Sequence, residues 1–225
     1  MTNKGLSPVS EPGVQKKTKT VFREYVEAIV IALLLALFIR TFVLQAFKIP
    51  SGSMKPTLQI GDHILVSKFA YGIHIPNEIP IINVKLFPDI ILFSKNPKRG
   101  DIVVFKFPKD ETRDFIKRVI GLPGDLLQVR SQRVYINNKL YEDPHAFHRV
   151  AARADPFVPR DDFGPVVVPE GYLFVMGDNR ENSQDSRYWG FLDMTKVKGR
   201  ALMIYWSWNA EVNWVRFDRI GKILE

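Results

Sequence analysis

The 225-residue chain has no cysteine. Disulfides, thiolate catalysis and cysteine-bound zinc are therefore excluded. Histidine is scarce: His63, His74, His145 and His148 all fall in loop-like contexts, and only the last two, three residues apart, offer a weak metal hint. The nucleophile motif G-x-S-x-G is missing. So is S-x-x-K, because Met54 and Pro56 stand three residues after Ser51 and Ser53. No repeats occur, and beyond residue 50 no stretch carries a long 3.6-residue period. Acidic charge is also short, with 24 Asp+Glu against 32 Lys+Arg and a net charge of +8. Residues 1–50 carry seven bases against three acids, beside an apolar segment. That placement points to an anionic membrane surface rather than to nucleic acid.

The apolar segment is the first positive feature. Residues 1–20 read as a polar, unstructured tail. Ala28–Ile39 is an uninterrupted apolar run of 12 residues, short for a membrane span. Val26–Phe47 extends it to 22 residues with only Glu27, Arg40, Thr41 and Gln45 polar, which at about 1.5 Å per residue covers a bilayer core. A cleaved signal peptide needs small residues before its cleavage site, and only Ala46 is offered. A soluble core helix is the other alternative. The favoured reading is a single uncleaved anchor over 25–46, with 1–24 as a basic cytoplasmic tail. The bases Lys16, Lys17, Lys19 and Arg23 then put everything after residue 46 on the outer side.

From residue 47 the texture changes. "DIVVFKF", "DFIKRVI", "LLQV", "RVYI", "VVV", "YLFVM" and "ALMIYW" are short, β-branched or aromatic runs separated by Gly, Pro and Asn turns. "VYINNKLY" predicts a hairpin with Asn137–Asn138 at its tip. The expected fold is mostly β: an antiparallel sheet domain over 47–225, with a Pro- and charge-rich excursion over 137–170 that forms a small subdomain.

Three stretches can carry chemistry. In "PSGSM" (50–54), one serine can be a nucleophile while the other hydroxyl helps hold an oxyanion; a plain polar turn is the alternative. In "DFIKRVIGLPGD" (114–125), strand alternation sets Lys117 between Phe115 and Val119, while Ile116, Arg118 and Ile120 face the other way. Burial there lowers an ammonium's pKa toward that of a general base, whereas an ordinary solvated lysine is the alternative. "GDNRENSQDSRYWG" (177–190) is dense in side chains that bond backbone. It fails the EF-hand template, with Arg180 at position 3 and Trp189 at position 12. A polar network holds better, with Ser183 able to bond a neutral lysine and Asp185 able to pair with Arg187. His63 is a second candidate base.

The ordered set "IPSGSMKPTL", "KRGDIVVF", "IKRVIGLPGD" and "GDNRENSQDSRYWG", after an apolar segment, resembles the bacterial type I signal peptidases. That resemblance implies a membrane-bound serine endopeptidase. Such enzymes remove signal peptides from exported preproteins after a small-x-small motif, with a serine–lysine dyad and no metal or cofactor. It implies Ser53 as nucleophile, Lys117 as general base, Ser51 as oxyanion donor and Ser183 as the residue orienting the lysine. It further implies Asp185 and Arg187 as loop supports, and Phe47, Ile49, Pro50, Phe115 and Ile116 as walls of the small-residue pockets. The expected partners are signal peptides and the lipid bilayer, not nucleic acid. The site is the outer side of the bacterial cytoplasmic membrane. Phe115 stands where relatives carry Tyr, and Glu181 where Asp is common. Competing readings are a silent β-rich scaffold, another Ser–Lys protease such as a self-cleaving repressor, and an RNA-binding loop faintly echoed by "VIGLPGD". Trp206, Trp208 and Trp214 are candidates for core or for a membrane interface.

Overall fold

The computed structural model describes residues 21–75, 78–79, 84–85, 90–92, 95–148 and 161–224. Most of the expected tail therefore lies outside the described residues, as do residues 149–160 of the expected excursion. The chain divides into two units, 1–38 and 39–225.

In the first unit, helix α1 (Val21–Phe38) has no buried residue. Its first two turns hold Arg23, Glu24 and Glu27, with Arg23 Nε bonded to Glu27 at 3.0 Å, one turn away. Its apolar part, from Ala28 to Phe38, is about 16 Å long. No helix among the described residues is long and apolar enough to cross a membrane. The expected span ran to residue 46. Instead the α-helix ends at Phe38, residues Ile39–Val43 wind as a π-turn, and Leu44–Lys48 becomes a strand. Hydropathy alone does not separate helix from strand in a short apolar run. Here the last four residues of the run, Leu44–Phe47, are strand, paired residue for residue with the strand Asp62–Ser67.

The second unit is built from antiparallel strands. In chain order they are β1 (Leu44–Lys48), β2 (Asp62–Ser67), β3 (Ile73–Ile75), β4 (Glu78–Ile79), β5 (Val84–Lys85), β6 (Ile90–Leu92), β7 (Ile102–Phe107) and β8 (Asp110–Gly121). Then follow β9 (Leu126–Arg130), β10 (Arg133–Ile136), β11 (Lys139–Leu140), β12 (Phe163–Val167), β13 (Tyr172–Met176), β14 (Leu192–Asp193), β15 (Val197–Asn209) and β16 (Trp214–Val215). The main sheet runs β1-β2-β15-β7-β8-β13-β14, with β16 added to β15. A second sheet, β11-β10-β9-β12, follows. The excursion is thus partly sheet: β11 and β12 fall within it and flank β10 and β9. The Asn137–Asn138 hairpin forms, both residues taking positive φ (53° and 64°), which asparagine tolerates and a tight hairpin turn requires.

The main sheet is covered on both faces. Ile102 and Val104 of β7 join a cluster with Ile49, Met54, Leu58, Ile64 and Ile204. Val103 and Phe105, pointing the other way, join Val119, Leu173, Val175 and Leu192. Burial on both sides explains why "IVVF" is continuous rather than alternating. A third cluster, around Leu127, Val129, Val134 and Phe174, joins the second sheet to the first. Strand β8 is central only in part. It pairs with β7 over most of its length, but with β13 only from Arg118 to Gly121. The edge of β8 before Arg118 is therefore not taken by β13.

Candidate active site

That uncovered edge faces the turn that follows β1. Ile49 N–H bonds Asp62 O at 2.8 Å, closing the end of the β1–β2 pair. The chain then turns through Pro50–Leu58, anchored from below by Met54 and Leu58, both fully buried. Asn179 holds the top of the turn: its N–H donates to Ser53 O, and its side-chain amide donates to Gly52 O, each at 3.1 Å. Gly177 supports the turn by being small. A Cβ there would collide with Ser53 O and with the Ser183 hydroxyl.

Ser53 and Lys117 meet across this junction, although 64 residues separate them. Lys117 Nζ donates to Ser53 Oγ at 2.8 Å and to Ile116 O at 3.0 Å. Both residues are buried, Lys117 with 3% of its surface exposed. Burial is the main cause that lowers the Lys117 ammonium, to about 8. The nearby carboxylates of Asp185 and Asp178 oppose that shift, and Arg187 assists it. An amine with that pKa, one hydrogen bond from a hydroxyl, can take the hydroxyl proton near neutral pH. Ser51 Oγ lies 3.4 Å from Ser53 Oγ, a long contact, and is exposed. His63, the other candidate base, instead packs edge-on against Tyr205, with ring centroids 6.0 Å apart.

Two buried ion pairs back this pair of residues. Arg118, next to Lys117, grips Asp178 with two bonds of 2.9 and 2.8 Å and donates to Gly100 O. Thr57 Oγ1 donates to the same carboxylate at 2.6 Å, which ties the serine turn to the lysine strand. Asp185 and Arg187 form the second pair, with two bonds of 2.8 Å. Burial works to raise the Asp185 carboxyl, but the charge and hydrogen bonds of Arg187, with the Gly177 N–H, hold it below the ordinary carboxylate range. Asp185 also caps the short helix α2 (Ser186–Trp189). Arg180 pairs with Asp143 in the same region.

A cavity of about 470 Å³ opens onto the pair. Its walls include Pro50, Ser51, Ser53, Phe115, Ile116 and Lys117, so six of the eleven residues singled out from the sequence converge there. Phe47 and Ile49 do not line it. Ile49 is 2% exposed and sits in the core, with Phe47 packed against it. Two residues apart on an extended chain they share a face, and that face is the sheet interior. Ser183 is buried nearby, and its hydroxyl lies by the Asp185 carboxylate, which it helps hold low, rather than bonding Lys117. Sequence reasoning missed Thr57, Asp178, Asn179 and Gly177. One signal was available: Arg118 alternates with Ile116 and Ile120, and a buried arginine demands a carboxylate. Among the described residues no group of three or more His, Asp or Glu converges as a metal site, and His145 and His148 do not form one.

Comparison with known proteins gives a consistent set of relatives. The family model described as "Signal peptidase, peptidase S26" matches residues 22–206. A signal peptidase I of Pseudomonas aeruginosa is 34% identical over 247 aligned residues, covering 95% of this chain and 84% of that protein. A probable signal peptidase I-2 of Synechocystis sp. is 39% identical over 186, covering 80% and 71%. A crystal structure of a signal peptidase I from Enterococcus faecalis aligns with 47% of this chain and 97% of that one, at 33% identity and a TM-score of 0.41.

Proposed function

The chain belongs to the signal peptidase family, peptidase S26, and on that premise we propose that it is a membrane-associated serine endopeptidase working through Ser53 and Lys117. It cuts signal peptides from exported preproteins after a small-x-small motif. The observation that carries the proposal is the 2.8 Å contact between Lys117 Nζ and Ser53 Oγ in a buried setting that lowers the lysine to about 8.

In this mechanism neutral Lys117 takes the proton of Ser53 as Oγ attacks the scissile carbonyl. The Ser53 N–H and the Ser51 hydroxyl receive the oxyanion. The ammonium of Lys117 returns the proton to the leaving amine, and an acyl-enzyme remains. Lys117 then deprotonates a water, which releases the acid and restores the serine. The buried pairs Arg118–Asp178 and Asp185–Arg187 hold the two reacting groups in register. Specificity for small residues fits a cavity narrowed by Phe115, whose ring is stacked on Phe107 at 4.2 Å. The open edge of β8 beside it suits an extended substrate. Membrane association is supported by α1, whose Ile29, Leu33 and Leu37 are exposed, and by the exposed Trp206 and Trp214 of the second unit.

The test uses a fluorogenic peptide with an Ala-x-Ala site. Wild-type chain cleaves it after the second alanine. Ser53→Ala and Lys117→Met, each shown to be folded by circular dichroism, lose about a thousand-fold or more in kcat/KM. Cleavage at the same bond by either folded variant would refute the dyad, and no cleavage by the wild type would favour a silent scaffold.

A further inference from the structure

A second, larger cavity of about 770 Å³ begins where the first ends. The two share Gly52 and Asn182 as lining residues, whereas Ser53 and Lys117 line the first alone. The floor of the second is tied to the nucleophile turn through Asn179, which bonds both Gly52 and Ser53. Its walls are part apolar, with the half-exposed Ile60 and Phe147, and part charged, with Lys55 and Glu181. The stem of Lys55 runs past Gly52: a Cβ built on that glycine would stand 3.6 Å from Lys55 Cδ and Cε. Lys55 is exposed, and its ammonium has no ion pair or hydrogen bond among the described residues.

A peptide cut at Ser53 must occupy space on both sides of the bond. On the peptidase reading, its acyl half fills the cavity between Pro50 and Ile116. The other half needs a second opening, and the larger cavity adjoins the first at Gly52 and Asn182. We propose that the second cavity receives the residues following the scissile bond, and that Lys55 makes it prefer a carboxylate there and disfavour a cationic side chain. This inference rests on the peptidase reading and adds to it a charge preference on the departing side. The physical basis is direct. An ammonium on the wall of the second cavity, with no ion pair among the described residues, attracts a carboxylate and repels a lysine or arginine, in a recess where water is partly displaced. Glu181, on the same cavity, opposes Lys55 and keeps the effect to a few-fold.

The experiment is a one-tube competition between two peptides with the same Ala-x-Ala half and the same first residue after the bond, differing as Asp or Lys at the second. A competition ratio does not depend on the fraction of active enzyme, so partial misfolding of a variant does not distort it. The full wild-type chain is expected to prefer the Asp peptide about three-fold in kcat/KM at low salt, with the preference shrinking at high salt. Lys55→Met brings the ratio to about one or slightly below, since Glu181 then acts alone, and Lys55→Glu reverses it by several-fold. An unchanged ratio in Lys55→Glu overturns the proposal while leaving the peptidase reading intact. Failure of the wild type to cleave either peptide overturns the peptidase reading, and the cavity assignment falls with it.

Discussion

In the proposed mechanism, one buried side chain, Lys117, couples activity to stability. In the unfolded chain it titrates near 10.5 and in the folded chain near 8. Below pH 8 both states carry the proton, and the folded state bears the full penalty of a buried ammonium, about 3 kcal/mol at 1.36 kcal/mol per pH unit. Between 8 and 10.5 the folded state binds fewer protons, so the penalty fades as pH rises. Two outcomes follow. The rate constant kcat/KM rises about tenfold per pH unit below 8 and levels above it, because only the neutral amine accepts the serine proton. Lys117→Met is more stable than wild type at pH 7, and that advantage shrinks by about 3 kcal/mol by pH 10.5, as thermal unfolding at the two pH values will report.

At the scale of elements, the site depends on two segments far apart in sequence being held by a third. The serine turn lies between β1 and β2, and the lysine lies on β8. Asp178, just past β13, accepts from both Thr57 and Arg118. Thr57→Val keeps the shape and removes one donor while Arg118 still satisfies the carboxylate. Stability is expected to fall by about 1 kcal/mol. The larger effect is on kcat, down about five- to tenfold with KM nearly unchanged, because the loss is of register between nucleophile and base. This also marks the limit of what the sequence makes legible. The strands were readable as alternating or continuous apolar runs, and the Asn137–Asn138 turn as a hairpin. Lys117 was identifiable as a base candidate from its apolar neighbours. The sheet order that carries β8 to the serine turn, and the Thr57–Asp178–Arg118 bridge, were not readable, because no local pattern encodes which strands become neighbours. The same limit explains Ile49, which reads as a pocket wall beside Pro50 but packs into the core.

For the whole molecule, the boundary between its two units falls at Phe38 and not at the end of the apolar run. Strand β1 belongs to the sheet: Leu44 to Lys48 pair with Ser67 to His63, and Phe47 packs on the core. A chain starting at residue 39 keeps all of these pairs. One starting at residue 47 loses the pairs of Leu44, Gln45 and Ala46 and leaves the edge of β2 open from Leu65 to Ser67. At about 1 kcal/mol net per hydrogen bond, that costs roughly 2–3 kcal/mol, or about 5–10 °C in Tm for a domain of this size. The 39–225 chain is therefore expected to unfold cooperatively and to cleave a soluble Ala-x-Ala peptide as the full chain does. The 47–225 chain should melt lower and cleave more slowly at temperatures where the other is intact. Equal melting of the two would mean that Leu44, Gln45 and Ala46 add nothing to the sheet. It would also mean that the serine turn is held by Phe47–Ile49, by the buried Met54 and Leu58, and by Asn179 and Thr57, without help from the first three residues of β1.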